Sequence, residues 1–284
     1  MEAQNTMTPE ENMILELFYT KGIIIDKYLN NINYLYQIAF YYQMNEQNYP
    51  LMKKYYLMAI DKGCVRSLNN LGYYYHHIEK DYTLMKKYYT LAIENDCARA
   101  MFNLGEYYDD IEKKYDIMEN YYKMASDKNL YNAQNNLGYY YQHITGNYEL
   151  MKKYYLLAIE NDCTESMHNL GEYYEFIEKN YELMKKYYLM AIDNKCAETM
   201  INLGKYYQST EKNYDKMKKY YQMAIEYGNT KSFTHLGYYY MIIKNYKLMK
   251  KNFLIAIDNN CSKSMNTLAE YYEAIEKILF NGDQ

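Results

Sequence analysis

Tryptophan is absent from this chain of 284 residues, and proline occurs twice, at Pro9 and Pro50. So little proline favours long uninterrupted helices, because a proline inside a helix costs about 3 kcal/mol. No apolar run approaches the roughly 20 residues that span a bilayer, so no membrane contact is expected. No secretory leader is expected either, since residues 1–11 are polar and acidic, not basic and then apolar. Positive charge is not in excess. Thirty-two basic residues against thirty-six acidic ones give a net charge of −4, which points away from nucleic acid as a partner. Together these absences lead to the expectation of a cytoplasmic protein.

Chemistry-bearing motifs are also lacking. There is no phosphate-binding glycine loop, no zinc-ligand spacing and no nucleophile motif. His76, His77, His143, His168 and His235 recur without a carboxylate or thiol at a fixed spacing. No catalytic residue, metal or cofactor is expected, and the chain is not read as an enzyme.

What is present is a repeat. Leu71, Leu104, Leu137, Leu170, Leu203 and Leu236 follow one another at intervals of 33 residues, with Ile38 in phase before them and Leu268 one residue early after them. A fixed period of this length means an array of small stacked units. Each unit has two halves. In the first, Met167, Leu170, Gly171, Tyr173, Tyr174 and Ile177 fall at helical spacing. A polar break, Glu178-Lys179-Asn180, offers Asn180 as the cap of a second helix, as do Asp81, Asn147, Asn213 and Asn245 in other units. Leu183, Met184, Tyr187, Tyr188, Ala191 and Ile192 then line the apolar side of that helix, and Asn194-Lys195-Cys196 ends it.

Three features of the repeat carry further expectations. Glycine sits inside the first helix at Gly72, Gly105, Gly138, Gly171, Gly204 and Gly237. It costs up to about 1 kcal/mol there, so close helix approach is expected. Cys64, Cys97, Cys163, Cys196 and Cys261 share one repeat position, with Leu130 and Asn229 in the other units. Spread along a line, they suit small buried fillers rather than disulfides or a metal site. Many of the 44 tyrosines read as codon bias at tolerant positions.

Ser166, Asn169-Leu170-Gly171, Tyr174 and Tyr187-Tyr188-x-x-Ala191-Ile192 resemble the Sel-one-like repeat, a relative of the tetratricopeptide repeat. The likeness extends over about residues 34–272. The units are shorter than is usual in that family, carry Glu-Lys-Asn-Tyr where a glycine-rich loop is customary, and lack a closing proline. The style of the repeat is also similar to arrays encoded by large DNA viruses of amoebae, which would place the protein in the host cytoplasm. The resemblance implies an all-α fold: an α-solenoid wound as a right-handed superhelix, its first helices lining a concave surface. Residues 1–33 are expected to form N-terminal capping helices, 34–263 seven hairpins of 32–33 residues, and 264–284 a C-terminal capping half-repeat. By the same resemblance the function is a non-enzymatic adaptor or scaffold that binds a partner protein or extended peptide. The alternative is a structural or self-assembling repeat protein.

Comparison of the units within the chain separates frame from variable face. Two residues before the leucine stand Tyr36, Asn69, Phe102, Asn135, His168, Ile201, Thr234 and Asn266; two after it stand Phe40, Tyr73, Glu106, Tyr139, Glu172, Lys205, Tyr238 and Glu270. Positions four apart share a helical face. One turn on come His76, Asp109, Gln142, Glu175, Gln208 and Met241. Tyr73, Glu106, Tyr139, Glu172, Lys205, Tyr238, Phe102 and His168 are therefore the candidate partner-binding residues. Asn70, Asn103, Asn136, Asn169 and Asn202 either hold a bound peptide backbone or bond to a neighbouring helix. The lysine pairs Lys53-Lys54, Lys86-Lys87, Lys152-Lys153, Lys185-Lys186, Lys218-Lys219 and Lys250-Lys251 form a ladder, interrupted by Glu119-Asn120. Acidic residues in every unit offset that stripe.

Overall fold

A computed structural model describes residues 8–281. The first seven residues of the expected N-terminal cap and the last three of the C-terminal one lie outside the described residues. Among those described there are sixteen α-helices and no strand. The chain divides into two compact units, Met1–Asn147 and Tyr148–Gln284. In the first, α1 (Pro9–Lys21) and a 3₁₀ turn (Asp26–Tyr28) precede the pairs α2 (Ile32–Met44) with α3 (Tyr49–Ile60), α4 (Val65–Tyr74) with α5 (Tyr82–Ile93), and α6 (Ala98–Asp110) with α7 (Tyr115–Asp127). Helix α8 (Tyr131–Tyr140) closes it. The second unit opens with α9 (Tyr148–Glu160). It continues with α10 (Thr164–Phe176) and α11 (Tyr181–Asp193), α12 (Ala197–Ser209) and α13 (Tyr214–Glu226), then α14 (Lys231–Ile242) and α15 (Tyr246–Asp258). Helix α16 (Ser262–Asn281) ends it. Within each unit every first helix packs on its own second helix, which packs on the next first helix.

The local chemistry explains these boundaries. Asn48, Asp81, Asn180, Asn213 and Asn245 each accept a main-chain N–H bond in the first turn of a second helix, at 3.0–3.3 Å. Such a cap satisfies a donor that the helix leaves free. At the other end Gly63, Asp96, Asn129, Asp162, Lys195, Gly228 and Asn260 have positive φ. The next residue then donates its N–H to an alanine carbonyl five residues back, as in Cys64 to Ala59 at 2.9 Å and Cys196 to Ala191 at 3.0 Å. This is a Schellman stop, in which a small apolar residue follows the left-handed position. The cysteines fill that place and are free; Cys64, Cys97 and Cys163 are buried, Cys196 and Cys261 half-buried.

The core is built on a ring over a glycine. A Cβ at Gly72 would fall 2.5 Å from the Tyr89 ring, at Gly105 2.6 Å from Tyr122, and at Gly204 2.6 Å from Tyr221. Gly171 faces Tyr188 in the same way, and Gly237 faces Phe253. The close approach expected of these glycines is thus to one aromatic side chain on the second helix. A second pairing lies parallel: Tyr42 with Tyr55, Tyr75 with Tyr88, Tyr108 with Tyr121, Tyr174 with Tyr187 and Tyr207 with Tyr220 stack at 5.5–5.9 Å between centroids. A third links successive repeats, as in Tyr49 with Tyr74 and Tyr181 with Tyr206. The expectation of tolerant tyrosine positions is therefore corrected. Three tyrosine contacts recur from repeat to repeat, and each constrains its residue.

In α1 the buried residues are Ile14, Leu15 and Phe18. One apolar stripe of the repeat differs in detail from expectation. Ile177, placed by its spacing on the apolar side of the first helix, is the C-cap of α10 and is exposed, as are Ile78, Ile111, Ile144 and Ile243. The helix has ended by that residue, so helical periodicity no longer governs its direction.

Candidate functional site

The first helices carry the variable residues, and their surroundings separate positions used by the frame from positions left open. Over Gly72, Gly105, Gly171 and Gly204 the ring belongs to a fully buried tyrosine whose hydroxyl needs a partner. Tyr56 donates to Gln43 at 2.6 Å, Tyr188 to Glu175 at 2.7 Å and Tyr221 to Gln208 at 2.9 Å. In the series His76, Asp109, Gln142, Glu175, Gln208, Met241, Glu175 and Gln208 are thus not free, because they sit where that hydroxyl looks for an acceptor. Two repeats depart informatively. Where the tyrosine is Phe253, the acceptor position is Met241. Where the acceptor is His76, its Nδ1 and the Tyr89 hydroxyl are both buried without a partner. The rings meet edge-on at 6.4 Å, and burial with the neighbouring His77 pulls the His76 imidazole down to about 4.

The asparagines bond between repeats. Asn70 Nδ2 donates to the hydroxyls of Tyr56 at 3.0 Å and Tyr36 at 3.2 Å, Asn103 to Asn69 Oδ1 at 3.1 Å, and Asn136 to Tyr122 at 3.3 Å. Asn202 donates to Glu172 at 2.9 Å. Of the two readings, the bond to a neighbouring helix is the one found at these four residues.

In four of its six pairs the lysine ladder is likewise structural in its first member. Lys53 pairs with Glu79 at 2.8 Å, Lys86 with Glu112 at 2.6 Å and Lys152 with Glu178 at 2.8 Å; Lys185 pairs with Glu211. Each glutamate lies in the turn of the following hairpin, so the pair fastens repeat to repeat. The same lysines lie 4.9–5.4 Å from tyrosine ring centres of that hairpin. At the ladder's gap Glu119 replaces the lysine, Thr145 replaces the glutamate, and Glu119 accepts from Tyr141 and pairs with Lys123.

The eight candidate residues divide accordingly. Phe102 and His168 are half-buried; Phe102 stacks on Tyr122 at 5.6 Å. His168 stacks on Tyr188 at 6.0 Å and bonds Thr199 at 2.8 Å. Glu172 lies beside His168 at 3.4 Å, which with the Asn202 amide holds its carboxyl below the usual range. Glu106 is half-buried next to Asp109 and Asp110, and burial, then those charges, raise it to about 7. Tyr238 bonds Thr267 at 2.8 Å and meets Phe253 edge-on. Tyr73, Tyr139 and Lys205 are the exposed ones. Tyr73 and Tyr139 each lie against a histidine one turn on, His77 at 4.2 Å and His143 at 4.3 Å.

Three open cavities adjoin this face. In the first unit, one of about 490 Å³ is lined by Phe40, Tyr73, Phe102, Arg99 and several asparagines, so it brings Tyr73 and Phe102 together. Its neighbour, of about 700 Å³, is lined by Tyr36, Arg66, Arg99 and Lys128 and shares Asn69, Asn70, Arg99 and Leu130 with it. In the second unit Lys205 lines one of about 420 Å³ with Tyr214, Tyr239, Ile242 and Ile243. Glu106, Tyr139, Glu172 and Tyr238 line none of the three. Arg66 and Arg99 are not among the residues singled out from the sequence, although they are its only arginines. Among the described residues, no group of three His, Cys, Asp or Glu could hold a metal ion, and no helix is long and apolar enough to cross a membrane.

No family model matches the chain, and no curated protein does. Solved structures do. A protective antigen present in uropathogenic Escherichia coli strains, displaying an SLR fold, superposes over 93% of this chain with a TM-score of 0.67 and 19% identity; the chain spans 63% of that protein's length. A Sel1 repeat protein from Oxalobacter formigenes is matched over 81% of this chain and 100% of its own, at a TM-score of 0.60 and 20% identity. The Cut9–Hcn1 hetero-tetramer of the APC/C gives 0.52 and 15% identity, over 92% of this chain and 51% of that one. In fold, the chain is a Sel1-type helical repeat array of the wider tetratricopeptide-like class.

Proposed function

We propose that the chain is a non-enzymatic scaffold that binds a partner protein, or an extended segment of one, on the face of its first helices. One observation carries this reading. Glycine, tyrosine, asparagine and lysine positions are largely spent on contacts within and between repeats, whereas at the position two residues after the leucine Tyr73, Tyr139 and Lys205 are exposed, beside the half-buried Glu106, Glu172 and Tyr238. Tyrosine is large, amphipathic and rather rigid, which suits recognition. Residues 1–33 and 264–284 act in this reading as caps that close the stack, as a repeat array needs. Cut9–Hcn1, which shares the fold, is itself an assembly of polypeptides.

Purification of tagged chain from its native cell, beside the Tyr73→Ala, Tyr139→Ala, Lys205→Ala variant, tests the proposal. A protein recovered with the intact chain and lost with the variant supports it, given an unchanged circular dichroism spectrum. Equal recovery with both forms contradicts it. A second reading is assembly of the chain with itself, favoured by the exposed Ile78, Ile111 and Ile144 at successive hairpin turns of the first unit. Recovery of the chain alone, with mass rising with concentration in light scattering, would support that reading instead.

A further inference from the structure

Each hairpin turn passes through one left-handed residue, and in five of the seven turns that residue is a lysine: Lys80, Lys113, Lys179, Lys212 and Lys244, at φ of 53–58°. The stops between repeats need the same conformation and take Gly, Asn or Asp at six of seven, the residues that tolerate it. Asparagine, better suited than lysine, stands one residue further on in three of the turns, as the helix cap. Turn geometry therefore does not account for these lysines. All five are exposed, and none has its side chain in an ion pair or hydrogen bond among the described residues.

In the second unit the turns α10–α11, α12–α13 and α14–α15 combine these cations with apolar tips. Phe176 and Ile177 are 62% and 52% exposed, Ile242 and Ile243 68% and 48%; at the turn between stand Ser209 and Thr210. Tyr181, Tyr214 and Tyr246, which open the second helices, are exposed as well. The acids of the same turns are mostly taken: Glu178 pairs with Lys152, Glu211 with Lys185 and Asp215 with Lys218. Glu182 is left against Lys179, Lys212, Lys216, Lys244 and Lys247. The open cavity of about 420 Å³ lies at this edge, walled in part by Tyr214, Ile242 and Ile243.

Aliphatic tips, tyrosines and unpaired lysines along one edge are the composition of a surface that rests in a lipid headgroup layer. A nucleic acid would gain nothing from the isoleucines, and a second copy would set lysine against lysine. A folded partner would have to offer a pit for each tip, whereas a fluid layer receives projecting side chains without a matching shape.

We infer that the hairpin-turn edge of the second unit docks on an anionic lipid surface, with Phe176 and the isoleucines in the headgroup layer and Lys179, Lys212 and Lys244 on acidic headgroups. Such a contact lies on the bilayer and needs no spanning helix, so the lack of a long apolar run excludes spanning alone. The inference goes beyond the scaffold reading and concerns a different edge, so either can fail without the other.

Flotation of the purified full chain with vesicles of about three parts phosphatidylcholine to one of phosphatidylserine, beside phosphatidylcholine alone, tests it. Binding should be at least about tenfold stronger to the anionic vesicles and should fall as salt is raised. Lys179→Asn with Lys212→Asn and Lys244→Asn removes charge yet suits the turns better, so binding should drop about tenfold or more at an unchanged or higher melting temperature. Ile242→Ser with Ile243→Ser, at an unchanged circular dichroism spectrum, should weaken it by a similar factor, which charge attraction alone would not. Absence of flotation with the anionic vesicles, or equal flotation of both variants and the parent chain, overturns the inference. Binding lost by the lysine variant but kept by the isoleucine variant overturns it too, and tight lysine-dependent binding of oligouridylate would then assign the edge to nucleic acid. A lower mass of the isoleucine variant in light scattering, with no vesicle binding by the parent chain, would give the edge to self-association instead.

Discussion

His76 and Tyr89 face each other edge-on, rings 6.4 Å apart, with a buried imidazole nitrogen and a buried hydroxyl that bond to nothing. Gln43 and Gln208 solve the same problem in their own hairpins by accepting from the tyrosine. His76→Gln should therefore stabilise the protein by roughly 1 kcal/mol, the worth of one buried hydrogen bond. It should also alter acid sensitivity. The imidazole titrates near 4 in the fold and near 6.5 in an unfolded chain. Between those values the unfolded chain holds the extra proton, so stability falls as pH drops from about 6.5 toward 4. The variant should lose much of that slope in urea midpoints taken across this range; His235, also near 4, would keep part of it.

Phe253 and Met241 make the converse case, an apolar ring opposite an apolar end. Phe253→Tyr would bury a hydroxyl with no acceptor at that position and should cost about 1–3 kcal/mol. Adding Met241→Gln should recover most of the loss. A cycle of the two single variants and the double, followed by thermal unfolding, measures the coupling.

Gly105→Ala should destabilise even though alanine is the better helix former. The new Cβ would fall 2.6 Å from the Tyr122 ring, and overpacking of this kind costs about 1–3 kcal/mol against a gain of up to about 1. Tyr122→Leu, which takes away the ring, should make the two losses less than additive in chemical denaturation.

The pair Lys152–Glu178 predicts a charge-swap result. Lys152→Glu alone should lower the melting temperature, and Lys152→Glu with Glu178→Lys should restore it. Both side chains are about one-third exposed or less, and exposed pairs are worth about 0.2–1 kcal/mol. The difference should shrink in high salt.

The helices, their caps and the repeat phase were legible from periodicity, because glycine, asparagine and leucine recur at one spacing. What meets what across helices was not, since a period gives phase and not pairing. The series through His76 and Glu175 looked free for that reason, and only the joint change to Phe253 and Met241 betrayed its duty to a hydroxyl. Glu119 and Thr145 change together in the same way, and that coincidence was the available sign that the lysine ladder fastens repeats. At the candidate site Tyr73, Tyr139 and Lys205 were legible as variable and are exposed. Phe102 and His168 varied for a different reason, being fitted to neighbouring rings. Arg66 and Arg99 were hidden by their rarity, for two residues make no repeat.

The most direct measurement of the central claim is photo-crosslinking in the native cell. A benzophenone amino acid would replace Tyr73, Tyr139 or Lys205 in turn, with Leu57 and Leu189, exposed on second helices, as the comparison. Adducts with one and the same protein from the three first-helix positions, and none from the two leucines, are the predicted result. Adducts from Leu57 and Leu189 alone would contradict the claim and move the interface to the second helices.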